Sequence, residues 1–334
     1  MAALQKLMAY STLVGIYPQW HPRLFGPLSR FSWSGAGGRT YIMRYVQGKI
    51  ARHNDVKADP EAAPAQLHSK TQDLLEKMVL ARDKDPEKVT DYHLFMMGQS
   101  NVIAGSDTTA ISLSSILYHL LCFPDVLDKL RAEIESFTAQ GRCSEKVTFK
   151  ESQEMPYFQA VMKEALRMHS ATGLPLWREV PPGGAEISGR FFPAGTVVGI
   201  NTWVAHYNEE IFPAAKTFRP ERWLEAEEHP ERLKALNDMY MPVSILEHCP
   251  ENGTWHETNR EQFGLGSRTC LGKHISILEM SKLIPRLVRD FEFTLTNPER
   301  EWDTENFWFV KPMDFHVTVK RRAAGGITKE EHGS

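Results

Sequence analysis

The sequence predicts a mainly α-helical protein with small β-sheets, and three observations carry that expectation. Apolar residues recur at helical spacing through the stretches between 72 and 169. Prolines punctuate those stretches at their ends, at Pro124 and Pro156. Alternating β-rich runs are confined to 185–200 and to a short segment near the C-terminus.

Taken in order, residues 1–55 mix short apolar clusters with Pro18, Pro22, Pro27 and a Gly-rich turn at Gly35–Gly38, which suggests two or three helices with a loop between them. Residues 56–70 read as a flexible surface connection. An amphipathic helix over Gln72–Arg82 precedes a long one over Asp91–Cys122, which Pro124 ends. Asp125–Gln140 forms the next helix, with Lys129–Glu133 and Arg131–Glu135 as acid–base neighbours one turn apart. Pro156–His169 and Leu278–Phe291 are helical again. The stretch AEISGRFFPAGTVVGIN reads as one hairpin of two β-rich runs, and DFHVTV near the end as a strand. There is no internal repeat.

At 334 residues, 42% hydrophobic and 24% charged, the chain has the composition of a soluble globular protein. Net charge is −3 with dispersed basic residues, which argues against a nucleic-acid partner. The four cysteines, Cys122, Cys143, Cys249 and Cys270, form no CxxC pair and no disulfide framework, as expected in a reducing compartment. No apolar run reaches the roughly 18 residues of a membrane-spanning helix, and the N-terminus lacks a signal-peptide layout. Taken literally, the sequence describes a soluble intracellular protein.

The densest chemistry lies in FGLGSRTCLG, Phe263 to Gly272. Gly264 and Gly266 permit backbone conformations closed to other residues, and Gly272 lets a flat ligand approach the main chain. A helix is expected from about Leu271, so Cys270 sits where N–H groups and the helix dipole favour a thiolate. Arg268 can offer a charge-assisted fork to a carboxylate. A thiolate, a carboxylate-binding arginine and a flat surface suggest haem held by cysteine; a buried cysteine in a Gly-rich turn is the competing reading of this stretch alone. Within the long helix, AGSDTT (Ala104–Thr109) is a poor choice for helix stability. Threonine hydroxyls there can bond backbone carbonyls and open a groove, the alternative being a solvated helix face. Glu164 and Arg167 form an ExxR pair on one helix, uninformative by itself. His248, Cys249 and His256 have no usual zinc-site spacing, and Asn252-Gly-Thr254 is a glycosylation sequon in form only.

Together these segments resemble the cytochrome P450 superfamily, with a flavour similar to fungal enzymes of the pisatin demethylase type. FGLGSRTCLG matches the family's FxxGxRxCxG signature at every fixed position, AGSDT matches AGx(D/E)T, and EALR with FRPERW matches ExxR and its downstream Pro-x-Arg-aromatic turn. The resemblance implies the C-terminal portion of the cytochrome P450 fold and a haem-thiolate monooxygenase that inserts one atom of O2 into a small apolar substrate, in fungal secondary metabolism. It implies haem b with Cys270 as axial iron ligand; Phe263, Gly264, Gly272, Arg268 and Arg178 would also contact the haem, the two arginines through its propionates. Asp107 and Thr108 would serve oxygen activation, Thr108 as hydrogen-bond donor and Asp107 in proton relay. Glu164, Arg167 and Arg222 would form a buried structural ion network. Ile103, Ala104, Thr172, Leu174, Leu176 and Trp308 would line the substrate pocket, with Phe307 and Phe309 beside Trp308 in ENFWFVKPMDF, where core and pocket are equally good readings. Electrons would come from NADPH through NADPH–cytochrome P450 reductase. A full-length relative would sit on the endoplasmic reticulum membrane, cytosolic face.

On that resemblance the chain is one partial domain. Residues 1–55 are the lid-helix region, 91–122 the long central helix, and 156–223 the ExxR helix, β-hairpin and PERW turn. The haem-thiolate loop and following helix span 263–291, and terminal strands 292–322. The expected N-terminal anchor and first strands are missing, and Ser170 stands where many relatives have proline. Residues 243–262 interrupt a junction that the family crosses directly. Twenty codons make sixty nucleotides in frame, and their ends can encode splice sites, so this segment is expected to be a retained intron, or else a lineage-specific loop. A catalytically inactive fragment that binds haem weakly is the alternative function. Isomerisation or dehydration on a thiolate haem is a third, disfavoured by the intact Asp107–Thr108 pair.

Overall fold

The computed structural model describes residues 2–31, 34–58, 73–241 and 270–322. The expected insert at 243–262 therefore lies outside the described residues. So do Phe263, Gly264 and Arg268, the candidate zinc residues, the sequon, and all but the first three residues of the 56–70 connection. The chain divides into two compact units, 1–107 and 108–334.

The first unit holds α1 (Ala2–Ile16), a 3-10 turn at Pro18–Trp20, α2 (His21–Ser29), α3 (Gly35–Ala58), α4 (Leu74–Lys84) and the first half of α5 (Asp91–Cys122). Leu4 and Leu7 of α1 pack on Ile42 and Val46 of α3, and Phe95, Val102 and Ile103 of α5 close the cluster. The Gly-rich turn expected at Gly35–Gly38 is instead the first turn of α3. The glycines keep their entropy cost of roughly 0.5–1 kcal/mol each, and the packing of α3 on α1 through Ile42 and Val46 offsets it. Asp73 caps α4, accepting the Glu76 amide at 2.8 Å.

The second unit continues α5 and adds α6 (Pro124–Ala139), α7 (Phe149–Gln153), α8 (Pro156–Met168), α9 (Thr202–His206), α10 (Glu221–Glu227), α11 (Pro230–Met239) and α12 (Lys273–Asp290). Its core is built where α5, α6, α8 and α12 turn apolar faces inward: Ile116, Leu120, Leu130, Ile134, Phe158, Val161 and Ile284 are essentially sealed from solvent. Burying each such side chain contributes about 1.5–3 kcal/mol before entropy is counted.

Charge pairing in α6 differs from the sequence expectation. Lys129 reaches Glu221 at 2.6 Å and Arg131 lies nearest Asp128, while Glu135 takes Arg322. Glu133 is recruited to a stronger task. Its two carboxylate oxygens accept the amides of Tyr157 (2.8 Å) and Phe158 (2.9 Å), capping α8 from outside. Helix α8 begins at Met155-Pro156 with no capping side chain of its own, so those amides need an acceptor from elsewhere. A carboxylate on two amides outweighs an exposed one-turn pair.

Among the described residues, eight short strands form four two-stranded antiparallel sheets. Strand β1 (Leu176–Glu179) pairs with β4 (Val197–Ile200), and β2 (Ala185–Ile187) with β3 (Arg190–Phe192). Strand β5 (Phe291–Leu295) pairs with β8 (Val317–Arg321), and β6 (Asp303–Phe307) with β7 (Phe309–Met313). The single hairpin expected over 185–200 is thus two pairings. The first run folds on itself about Ser188-Gly189, both with positive φ (51° and 73°), and the second run returns to β1. A two-residue left-handed turn suits the twist of a tight hairpin, which leaves β4 free for the upstream strand.

Candidate active site

Cys270 lies in the second unit, half-buried, three residues ahead of Lys273, the first residue of α12. Gly272 is the residue before the helix; a Cβ there would sit 3.9 Å from the Cys270 sulfur, and the Lys273 amide turns back to the Cys270 carbonyl at 3.4 Å. The sulfur therefore stands at the amide end of an 18-residue helix, where partial positive charge favours an anionic ligand atom. Cys143, by contrast, is sealed in the core beside the Arg289 guanidinium and is a structural thiol.

Helix α5 runs unbroken through Ala104–Thr109. Of the two threonines expected to bond helix carbonyls, Thr109 is used elsewhere. Thr109 is buried and its hydroxyl meets that of Ser276 in α12 at 2.9 Å, so α5 is tied to the first turns of the cysteine-bearing helix. Serines also bond back to the helix carbonyls: Ser112 donates to Thr108 O at 2.9 Å, and Ser106 to Val102 O at 2.7 Å. The Thr108 carbonyl is thus shared between helix and side chain, a milder form of the groove expected from sequence. Thr108 is half-buried and Asp107, the last residue of the first unit, is buried.

The ExxR pair proves to be the centre of a network with no solvent exposure. Glu164 Oε1 accepts Arg167 Nη2 (2.8 Å), Arg222 Nε (2.9 Å) and the Arg219 amide (3.2 Å). Its Oε2 accepts Arg167 Nε (3.0 Å) and the indole N–H of Trp223 (3.0 Å). Arg167 also donates to His206 O at 2.8 Å and Arg222 to Pro213 O at 2.9 Å. Phe212 and Tyr207 face the Arg167 guanidinium at 5.2 and 5.8 Å. Burial pushes the Arg222 guanidinium below its ordinary value, and the Glu164 carboxylate opposes that shift. Two guanidinium groups on one carboxylate are held only because nearly every donor has an acceptor. Sequence spacing alone could not have found Trp223 or the carbonyls.

The two segments expected to line a pocket, 135 residues apart, are brought together. Thr172 bridges to Phe309, the Gly173 amide donates to Trp308 O at 3.0 Å, and the Val310 amide to Ala171 O at 2.9 Å. Gly173 is required there, since a Cβ would come within 2.4 Å of Asn306 and Val310 atoms. Trp308 forms the tight turn between β6 and β7 with φ 73° and is half-buried; Phe309 is buried and belongs to the core rather than to an open surface. Thr172 is buried, Leu174 and Leu176 are half-buried. Ile103 packs into the first unit's cluster and lines a cleft of about 300 Å³ there, whereas Ala104 is exposed.

Arg178, on β1, donates one N–H to Trp177 O at 2.6 Å, and its buried Nη2 has no partner among the described residues. A buried guanidinium nitrogen without an acceptor is costly. An anionic ligand group would complete it, as a haem propionate would. The donor set, a sulfur at a helix amide end and a guanidinium nitrogen without an acceptor among the described residues, fits haem. Among the described residues no group of His, Cys, Asp and Glu could hold a bare metal ion.

Comparison with known proteins agrees. Residues 36–318 match the family model "Cytochrome P450". A cytochrome P450 monooxygenase, cicH of Emericella nidulans, is 40% identical over 263 residues, covering 78% of this chain and 48% of that protein. A pisatin demethylase of Fusarium vanettenii is 40% identical over 282 residues, 84% of this chain and 48% of its own. The chain spans about half the length of these curated relatives. A solved cytochrome P450 (CYP102L1) superposes with a TM-score of 0.64 at 23% identity, over 86% of this chain and 56% of that one, which speaks for the fold. On motif, geometry and likeness together, the chain belongs to the cytochrome P450 family.

Proposed function

We propose that the protein containing this chain is a haem-thiolate monooxygenase that inserts one atom of O2 into a small apolar substrate. The observation that carries this reading is the placement, in one unit, of Cys270 at the amide end of α12 with the buried Glu164–Arg167–Arg222 network and an unpartnered Arg178 nitrogen. Cys270 would hold the haem iron, and Arg178, with Arg268, would hold its propionates. Bound there, haem supplies oxygen activation, which the electron-rich cysteine ligand promotes. Thr108 and its helix neighbour Asp107 would hold and pass on protons, with Thr109 and Ser276 fixing α5 against α12. Thr172, Leu176 and Trp308 would exclude water and orient an apolar substrate. The network of Glu164 is a positioning device for the cysteine segment.

Electrons would reach the site from NADPH through a separate reductase. The full-length protein would work on the cytosolic face of the endoplasmic reticulum membrane; among the described residues no single helix is long and apolar enough to cross a membrane. The likeness to a pisatin demethylase supports a role in fungal secondary metabolism. We take residues 243–262 to be a retained intron; mature transcripts lacking those sixty nucleotides are the expected result.

Incubation with ¹⁸O₂, NADPH, a reductase and a panel of terpenoid, polyketide and aromatic substrates is expected to give a product carrying a single ¹⁸O atom. Haem bound through cysteine with no ¹⁸O in any product would overturn the monooxygenase reading.

A further inference from the structure

His206 takes no part in the chemistry above, yet it is fully buried and both ring nitrogens are engaged. Its Nδ1 lies 2.9 Å from the Arg167 carbonyl oxygen, and the Met241 backbone amide donates to its Nε2 at 2.8 Å. A carbonyl can only accept and an amide N–H can only donate, so the ring is neutral and in one tautomer, with its proton on Nδ1. The Arg167 guanidinium closes the circle by donating to the His206 carbonyl. The ring is stacked on Tyr240, centroids 5.6 Å apart at 22°, and meets Phe212 edge-on.

Two of these partners bear on the candidate site. Arg167 is one of the two guanidinium groups on Glu164. Met241 is where the chain leaves α11 for the segment that ends in Cys270. A single imidazole therefore joins the buried ion network to the base of the cysteine-bearing segment. We propose that His206 is a positioning residue: it ties Met241, from which the chain continues toward Cys270, to the Glu164 network, and Cys270 depends on that tie to act as the haem ligand. The inference rests on the haem-thiolate reading of Cys270.

Two substitutions separate positioning from general stability. His206→Gln can present an amide oxygen where Nε2 stands and keep the Met241 bond, while losing the bond to Arg167 O. His206→Asn can present an N–H where Nδ1 stands and keep Arg167 O, while losing Met241. Each variant gives up one buried hydrogen bond, so their unfolding midpoints should fall together. Two measurements on the full chain then distinguish them: hydrogen exchange at the Met241 amide without haem, and the share of haem in the thiolate form in the carbon-monoxide difference spectrum. In His206→Asn, Met241 is expected to exchange roughly tenfold faster, the opening expected for one lost buried bond, and the thiolate share to fall several-fold. In His206→Gln both should stay near the unsubstituted protein.

Unchanged Met241 exchange in His206→Asn, or an equal loss of thiolate form in both variants, would overturn the positioning role. Absence of any thiolate form in the unsubstituted protein would instead defeat the haem reading; the exchange measurement would still decide whether His206 anchors Met241.

Discussion

Replacing Glu164 with alanine is expected to lower the free energy of unfolding by about 3–5 kcal/mol, the usual cost of removing one partner from a buried charge pair. Five donors converge on this carboxylate: three guanidinium N–H groups, an amide and an indole. Without it, Arg167 and Arg222 are left as two positive charges in an interior with no solvent to screen them. Such a loss is comparable with the whole stability of many domains, so Glu164→Ala is expected to be recovered poorly folded. Glu164→Gln keeps the shape and one acceptor oxygen but turns an N–H₂ toward guanidinium donors. It should fold with a smaller loss, measurable as a lower denaturation midpoint. A midpoint unchanged in Glu164→Gln would show that the network is not under the load assigned to it.

Acid is the second large perturbation. His119, His169 and His206 are buried, each with a ring N–H on a backbone carbonyl: Ser115 at 2.8 Å, Val310 at 2.8 Å and Arg167 at 2.9 Å. Burial pushes His119 and His169 down to about 4 and His206 to about 3. Unfolded, each would titrate near 6.5. A depressed folded value means that the stabilisation is present in full above pH ~6.5 and is lost as pH falls through the folded values. Near pH 5 the unfolded chain binds close to three more protons at these sites, a slope of about 3–4 kcal/mol per pH unit. Glu133, raised by burial against the pull of its two amides, acts in the opposite sense and on a smaller scale. Unfolding free energies from urea titrations at pH 7 and 5.5 should therefore fall steeply. Equal values at the two pH points would contradict neutral, buried histidines at these positions.

Much of the fold could be read from the sequence because prolines punctuate it. Pro124 and Pro156 stand at the starts of α6 and α8, and α5 has the bounds its periodicity predicts. Strand β1 was not anticipated, and β5–β7 only as unplaced terminal strands over 292–322 on the family resemblance, since four or five residues carry little alternation and their pairing depends on a partner elsewhere in the chain. Pairing preferences in α6 failed for a related reason. Lys129, Glu133 and Glu135 find better partners on α10, on α8 and at Arg322 than one turn away, and periodicity within one helix cannot express that.

The site shows the same division. Cys270 and the ExxR pair stand out as local patterns, whereas Arg222 lies 58 residues from Glu164 and joined it only by resemblance to the family. His206 gave no signal at all, because its role is set by two backbone groups, and backbone groups leave no mark in a sequence. The Thr109–Ser276 hydroxyl pair, 167 residues apart, was equally silent.

The central claim is that Cys270 is a thiolate ligand for haem. It is tested most directly by the carbon-monoxide difference spectrum of the reduced, haem-loaded protein beside its Cys270→Ser variant. The account predicts a thiolate-type Soret band in the protein and its complete loss in Cys270→Ser. A thiolate-type band that survives in Cys270→Ser, or haem bound to the unsubstituted protein without one, would contradict it.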